Sequence, residues 1–118
     1  MTGPVDAPTP AETESPHPFT GLDDVVHQRV RLGILTIAHE ARRVEFGYLR
    51  TQLELTAGNL SQHLGVLEKA GLVEVKKGYA GRTWITLTAA GSTALADEIG
   101  RLKLLIARVE TTDTPADR

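Results

Sequence analysis

Few side chains in this sequence could carry chemistry, and their types exclude most reactions. There is no cysteine among the 118 residues. That removes disulfides, thiolate metal sites, iron–sulfur clusters and thiol nucleophiles. The histidines stand apart, at positions 17, 27, 39 and 63. No H-E-x-x-H, G-x-S-x-G or Walker loop occurs. Glu40, Glu45, Glu54, Glu68 and Glu74 are scattered and form no convergent set with a histidine. No enzyme, no metal site and no cofactor is therefore expected. Two clusters remain. In Thr56-Ala57-Gly58-Asn59-Leu60-Ser61-Gln62-His63, the amides of Asn59 and Gln62 each offer a donor and an acceptor together, as the edge of a nucleobase requires. In Lys76-Lys77-Gly78-Tyr79-Ala80-Gly81-Arg82, three cations surround a glycine turn, which suits phosphate oxygens or a minor groove.

The surrounding sequence must position these clusters. Leu22, Val25, Val26, Val30, Ile34, Ile37 and Ala38 lie mostly three or four residues apart, which predicts a first helix over Leu22 to Ala41 capped by Asp23 or Asp24. Gly33 in that helix either lets another backbone come close or marks a weak point. Val44-Glu45-Phe46 reads as a brief extended piece. Phe46, Leu49 and Leu53 keep one face of a short second helix. After the turn Glu54-Leu55-Thr56, the Thr56 hydroxyl is a suitable N-cap for a third helix over Ala57 to Ala70. Gly71 suits the left-handed position that ends it. The period then changes to alternation in residues 72–77 and 83–88, joined by Gly78 to Arg82, which predicts a β-hairpin. Thr88 caps a final helix over Ala89 to Val109. The fold class expected is mainly α with a small β-hairpin: a winged helix-turn-helix with a long C-terminal dimerisation helix.

Leu60, Leu64 and Leu67 fix the buried side of the third helix. Opposite lie Gly58, Gln62, Gly65 and Lys69, flanked by Asn59 and Val66. Gln62, Asn59 and Ser61 are the candidates for base edges. The backbone near Gly58, with Thr56, His63, Arg50, Lys69, Lys76, Lys77, Tyr79 and Arg82, completes the expected DNA-binding set, mostly towards phosphates. Arg42 and Arg43 lie just before the second helix, which in this motif crosses the backbone. Duller readings stand beside these. Lys76 and Lys77 could simply protect a sheet edge, and His63 could equally be a half-buried interfacial residue. Trp84 reads as a core plug under the hairpin.

The net charge of −2 is unevenly distributed: −3 over residues 1–20, +2 over 21–110 and −1 over 111–118. The middle is weakly basic and the ends are acidic; the overall balance counts mildly against a nucleic-acid partner, so the location of the charges has to decide. Five of the six prolines fall in residues 1–20, with Thr, Ser and Glu between them. This predicts a disordered acidic tail over 1–20, a domain over 21–110 and a second disordered tail over 111–118. No apolar run approaches the roughly 18 residues of a membrane helix, so no membrane partner is expected. The opening MTGPVDAPTP has no basic or apolar signal segment, which fits a cytoplasmic address.

In the final helix Leu95, Ile99, Leu102, Ile106 and Val109 follow spacings of 4, 3, 4 and 3. This is a short coiled-coil seam, widened by Leu104 and Leu105. It predicts a homodimer closed jointly with Val25, Val26 and Val30 of the first helix. The alternative is that the stripe packs on its own domain.

The run from Leu55 to Val73, with Asn59-Leu60-Ser61-Gln62-His63-Leu64 and Leu67-Glu68-Lys69-Ala70-Gly71-Leu72-Val73, resembles the recognition-helix region of bacterial MarR- and ArsR-like transcriptional regulators. His27 to Leu32, Lys77-Gly78-Tyr79-x-Gly81-Arg82 and Leu87-Thr88-x-x-Gly91 extend the resemblance, which spans about residues 21–105. It implies a homodimer that binds double-stranded operator DNA and usually represses. Gly65 departs from the pattern, where relatives often carry a basic residue. The ligands of metal-sensing relatives are absent, and the resemblance names no effector. The rival reading is a winged-helix protein-interaction module without DNA binding.

Overall fold

The structure, a computed structural model, describes residues 16–112. Its helices are α1 (Arg29–Ala41), α2 (Phe46–Leu53), α3 (Ala57–Lys69) and α4 (Ala89–Thr112). Its strands are β1 (Arg43–Glu45), β2 (Val73–Lys77) and β3 (Thr83–Leu87). The strands form one antiparallel sheet in the order β1-β3-β2. Val44 and Val75 both sit opposite Ile85. One face of the sheet is thereby apolar, and it closes over α1 and α3. The expected winged helix-turn-helix, mainly helical with a long last helix, is the fold observed.

One core holds these layers together. Val26, Ile34, Leu35, Ala38, Leu49, Leu60, Leu67 and Ile85 are all fully buried, with Leu64, Val73 and Leu95 nearly so. Each buried Val, Leu or Ile side chain contributes about 1.5–3 kcal/mol relative to leaving it in water. With so few aromatic residues, the core depends on these branched chains. Gly33 admits the second helix: a Cβ built there would lie 2.9 Å from Leu53 Cδ2.

The first helix is shorter than its apolar spacing predicts. It begins at Arg29, because the Gln28 side chain accepts from the N–H groups of Val30 and Arg31 at 2.9 Å each. The preceding residues form a separate turn. There Asp23 Oδ1 accepts from Val25 N–H at 2.8 Å and Val26 N–H at 3.2 Å. Val25 and Val26 thus belong to a capped turn that only mimics helical spacing.

At the ends, the expected tails lie outside the described residues over 1–15 and 113–118. The residues that are described extend the domain outward at both ends. Pro18–Gly21 form a 3-10 turn that packs against α4, and α4 continues to Thr112. A buried carboxylate secures this packing. Glu98 Oε1 accepts from Asp23 N–H at 3.1 Å, and Arg101 lies 3.8 Å from it. His27 Nδ1 lies 2.8 Å from Glu98 Oε2 and supplies that oxygen with its donor when the nitrogen carries a proton.

The base of α4 is fixed from two sides. Thr88 Oγ1 donates to the Gly71 carbonyl at 2.7 Å and accepts from Gly91 N–H at 2.9 Å. The Leu72 carbonyl accepts from Thr88 N–H at 3.0 Å. It also occupies the space that a side chain at position 91 would fill.

Candidate nucleic-acid interface

The interface is built around α3. A tight turn separates it from α2: Glu54 takes the left-handed conformation (φ 55°), and Leu55 N–H donates to the Arg50 carbonyl at 3.0 Å. The Thr56 hydroxyl then caps α3, accepting from Asn59 N–H at 3.1 Å. Thr56 is thus occupied in starting the helix. Gly71, in the left-handed region at φ +80°, follows its end. Leu60, Leu64 and Leu67 point into the core, which forces the opposite side outward.

That outward side carries Gly58, Asn59, Ser61, Gln62, Gly65, Val66 and Lys69, all exposed. A Cβ added at Gly58 or Gly65 would meet nothing within 4 Å. The surface is therefore low on both sides of Gln62, and the amide stands clear. No charged side chain occurs in the first two turns of α3. Such a surface can present paired donors and acceptors to base edges without a fixed charge to solvate. Among the described residues, Lys69 and Arg50 make no ion pair within 4 Å, and both are exposed.

His63 is placed differently from the other candidates. It is half-buried, and Arg31 Nη1 lies 3.2 Å from its Nδ1. Arg31 also donates through Nε to the Val25 carbonyl at 2.7 Å and through Nη2 to the Asp24 carbonyl at 3.2 Å. Burial, and then the Arg31 charge, hold the His63 ring below the usual histidine value of 6.5. A neutral ring that accepts from Arg31 is a joint between α3 and α1 rather than a cation poised for a phosphate.

The hairpin divides its charges between two faces, because adjacent strand residues point to opposite sides. Lys77 shares the side of Val75 and looks across a groove of about 370 Å³ towards α3, whose wall there is Ser61, Gly65 and Glu68. Lys76 lies on the outer side, opposite Trp84 and 4.0 Å from Glu74. Arg82 is also engaged, 3.8 Å from Glu45. The three cations expected to act as one finger are thus split, and only Lys77 faces the α3 groove. Tyr79 projects at the tip with 93% of its surface exposed.

Trp84 is not a plug in the core. Ile85 fills that role, and Trp84 lies on the outer side of the sheet with the Arg43 guanidinium 4.0 Å from its ring centre. This cation–π contact gives Arg43 a structural role. The engagement of Glu45 and the burial of Glu98 had no single-residue signal in the sequence. For Glu98, the position three residues after Leu95 and four before Leu102 places it on the apolar stripe, and that spacing was the available clue.

The candidates for self-association separate in the same way. Val26, Val30 and Leu95 are core residues of the protomer itself, and Val25 is half-buried. Buried in that core, neither Val26 nor Val30 presents an apolar face to a second copy. Ile99, Leu102, Leu105, Ile106 and Val109 remain on α4, with Ile106 and Val109 55% and 60% exposed. Among the described residues, no group of three or more His, Asp or Glu side chains could hold a metal ion. None of their helices is long and apolar enough to cross a membrane.

Comparison with known proteins agrees with this fold. The model of the winged helix DNA-binding domain family matches residues 30–106. An uncharacterised protein of Methanocaldococcus jannaschii is 39% identical over 84 residues, covering 69% of this chain and 91% of that protein. Among solved structures, a transcriptional regulator homologue from Pyrococcus horikoshii is 33% identical with a TM-score of 0.63; the match covers 76% of this chain and 89% of that one. HlyU from Vibrio cholerae is 30% identical with a TM-score of 0.57, covering 66% and 83%.

Proposed function

Since the chain belongs to the winged helix DNA-binding domain family, we propose that it regulates transcription as a homodimer, each α3 entering the major groove of an operator half-site and the bound dimer acting as a repressor. The observation that carries this reading is the outward side of α3, where Asn59, Ser61 and Gln62 stand exposed between open glycines. Gln62 and Asn59 read base edges. The first turn of α3, Lys77 across the groove, Arg50 on α2 and Lys69 hold phosphates. Tyr79 at the wing tip reaches the neighbouring groove, and Lys76 and Arg82 contribute charge there after releasing weak surface pairs.

The exposed stripe of α4 supports pairing. Isolated apolar residues on a surface need no explanation, but Ile99, Leu102, Ile106 and Val109, four at seam spacing beyond the buried Leu95, favour a second copy. Two copies give two half-sites, which a single short recognition helix needs for useful selectivity. The test is selection of bound fragments from a random duplex pool, followed by binding of the selected site to the wild type and to Asn59→Ala/Gln62→Ala. The double variant should keep its fold and lose the preference for the selected site over random duplex. Sedimentation should give a dimer at micromolar concentration. A chain that flows through duplex DNA at low salt is an interaction module instead.

A further inference from the structure

Val66 is an apolar side chain on a side of α3 otherwise made of amides, glycines, a hydroxyl and one lysine. It is 36% exposed. It packs into no core cluster, and it lies one helical turn beyond Gln62. Gly65 beside it leaves the surface open: nothing lies within 4 Å of a Cβ placed there. Four residues advance a helix by about 6 Å and turn it by about 40° beyond a full revolution. Gln62 and Val66 are therefore near neighbours on one low strip. Bases in a strand are spaced about 3.4 Å apart, so that separation spans about two base-pair steps.

In the major groove the one apolar group that a base pair presents is the thymine C5-methyl. An exposed valine beside an amide fits that group, while a guanine or cytosine edge would leave its own polar atoms facing the Val66 methyls. We propose that Val66 is a specificity-determining residue that reads a thymine methyl within about two base pairs of the base read by Gln62. The inference rests on the DNA-reading assignment made above and adds the base class that the second turn of α3 selects. The fitting partner for Gln62 in such a strip is adenine, whose N7 accepts from Nε2 while its N6 donates to Oε1.

The probe is the selected operator duplex with each thymine replaced in turn by deoxyuridine, which deletes only the methyl group. It is titrated against the full chain and against Val66→Ala. One thymine per half-site, within two base pairs of the position whose preference Gln62→Ala relaxes, should lower wild-type affinity roughly fourfold on replacement. Val66→Ala should bind the thymine duplex roughly fourfold more weakly and show no further loss with deoxyuridine. It should melt at the wild-type temperature, because the side chain supports no core contact. Selective binding that is indifferent to every methyl overturns this inference alone, as does a Val66→Ala variant that keeps the full deoxyuridine penalty. Absence of any duplex binding overturns the DNA-reading assignment and this inference together.

Discussion

Arg31 Nη1 and His63 Nδ1 lie 3.2 Å apart, so the first turn of α1 is joined directly to α3, the helix that carries the exposed amides. The pairing fixes the sign of a pH effect. Burial, then Arg31, lower the histidine below 6.5 in the folded chain. The unfolded chain therefore takes up a proton first as pH falls. Stability from this group is fully present above about pH 6.5 and is lost as pH falls below it towards the lowered folded value. Urea unfolding between pH 5 and 8 should show a decline on the acid side, and His63→Asn, which keeps an acceptor for Arg31, should flatten it. An unchanged slope in that variant would remove His63 as the cause.

Glu98 holds the segment before α1 onto α4 from a fully buried position. Glu98→Ala should leave Asp23 N–H without its acceptor and open a void, at a cost of about 2–4 kcal/mol. Glu98→Gln keeps an acceptor and should cost less. Chemical denaturation of the two variants orders them, and equal losses would show that the Asp23 bond adds nothing.

Gly91 has no space for a side chain, because the Leu72 carbonyl and Leu87 Cδ1 fill it. Gly91→Ala should destabilise by about 1–3 kcal/mol, despite the better helix propensity of alanine. Gly65→Ala, on open surface, should be neutral or slightly stabilising. Thermal melting of the pair separates packing from propensity.

Lys77 and Lys76 are neighbours in sequence but lie on opposite sides of the sheet. Lys77→Ala should reduce the salt dependence of duplex binding by about 0.9 in the log–log slope. Lys76→Ala should reduce it less. Identical slopes would mean that the hairpin approaches DNA tip-first rather than with its α3-facing side.

Much of this architecture is legible in the residues. Thr56 and Gly71 bracket α3 because a hydroxyl cap and a left-handed glycine are local requirements. Leu60, Leu64 and Leu67 then orient it without tertiary information. The start of α1 is less legible, because Asp23 and Gln28 cap two successive segments whose valines keep a helical interval across the break. Trp84 shows a different limit. Alternation requires one of Trp84 and Ile85 to face out, but bulk alone favours burying the tryptophan. The stacking of Arg43, on a strand paired through long-range register, decides the matter. The same alternation separates Lys76 from Lys77, and it was readable once the strand was accepted.

The lock between Thr88, Gly71, Gly91 and Leu72 also bears on the target of the protein. It clamps the root of the last helix to the junction between reader and hairpin, which makes that helix a beam with a set bearing. In the homodimer proposed above, two copies joined along such beams would hold their α3 helices at one fixed pitch. An operator for them should tolerate base changes in the spacer yet lose affinity on insertion of a single base pair, which rotates one half-site by about a tenth of a turn.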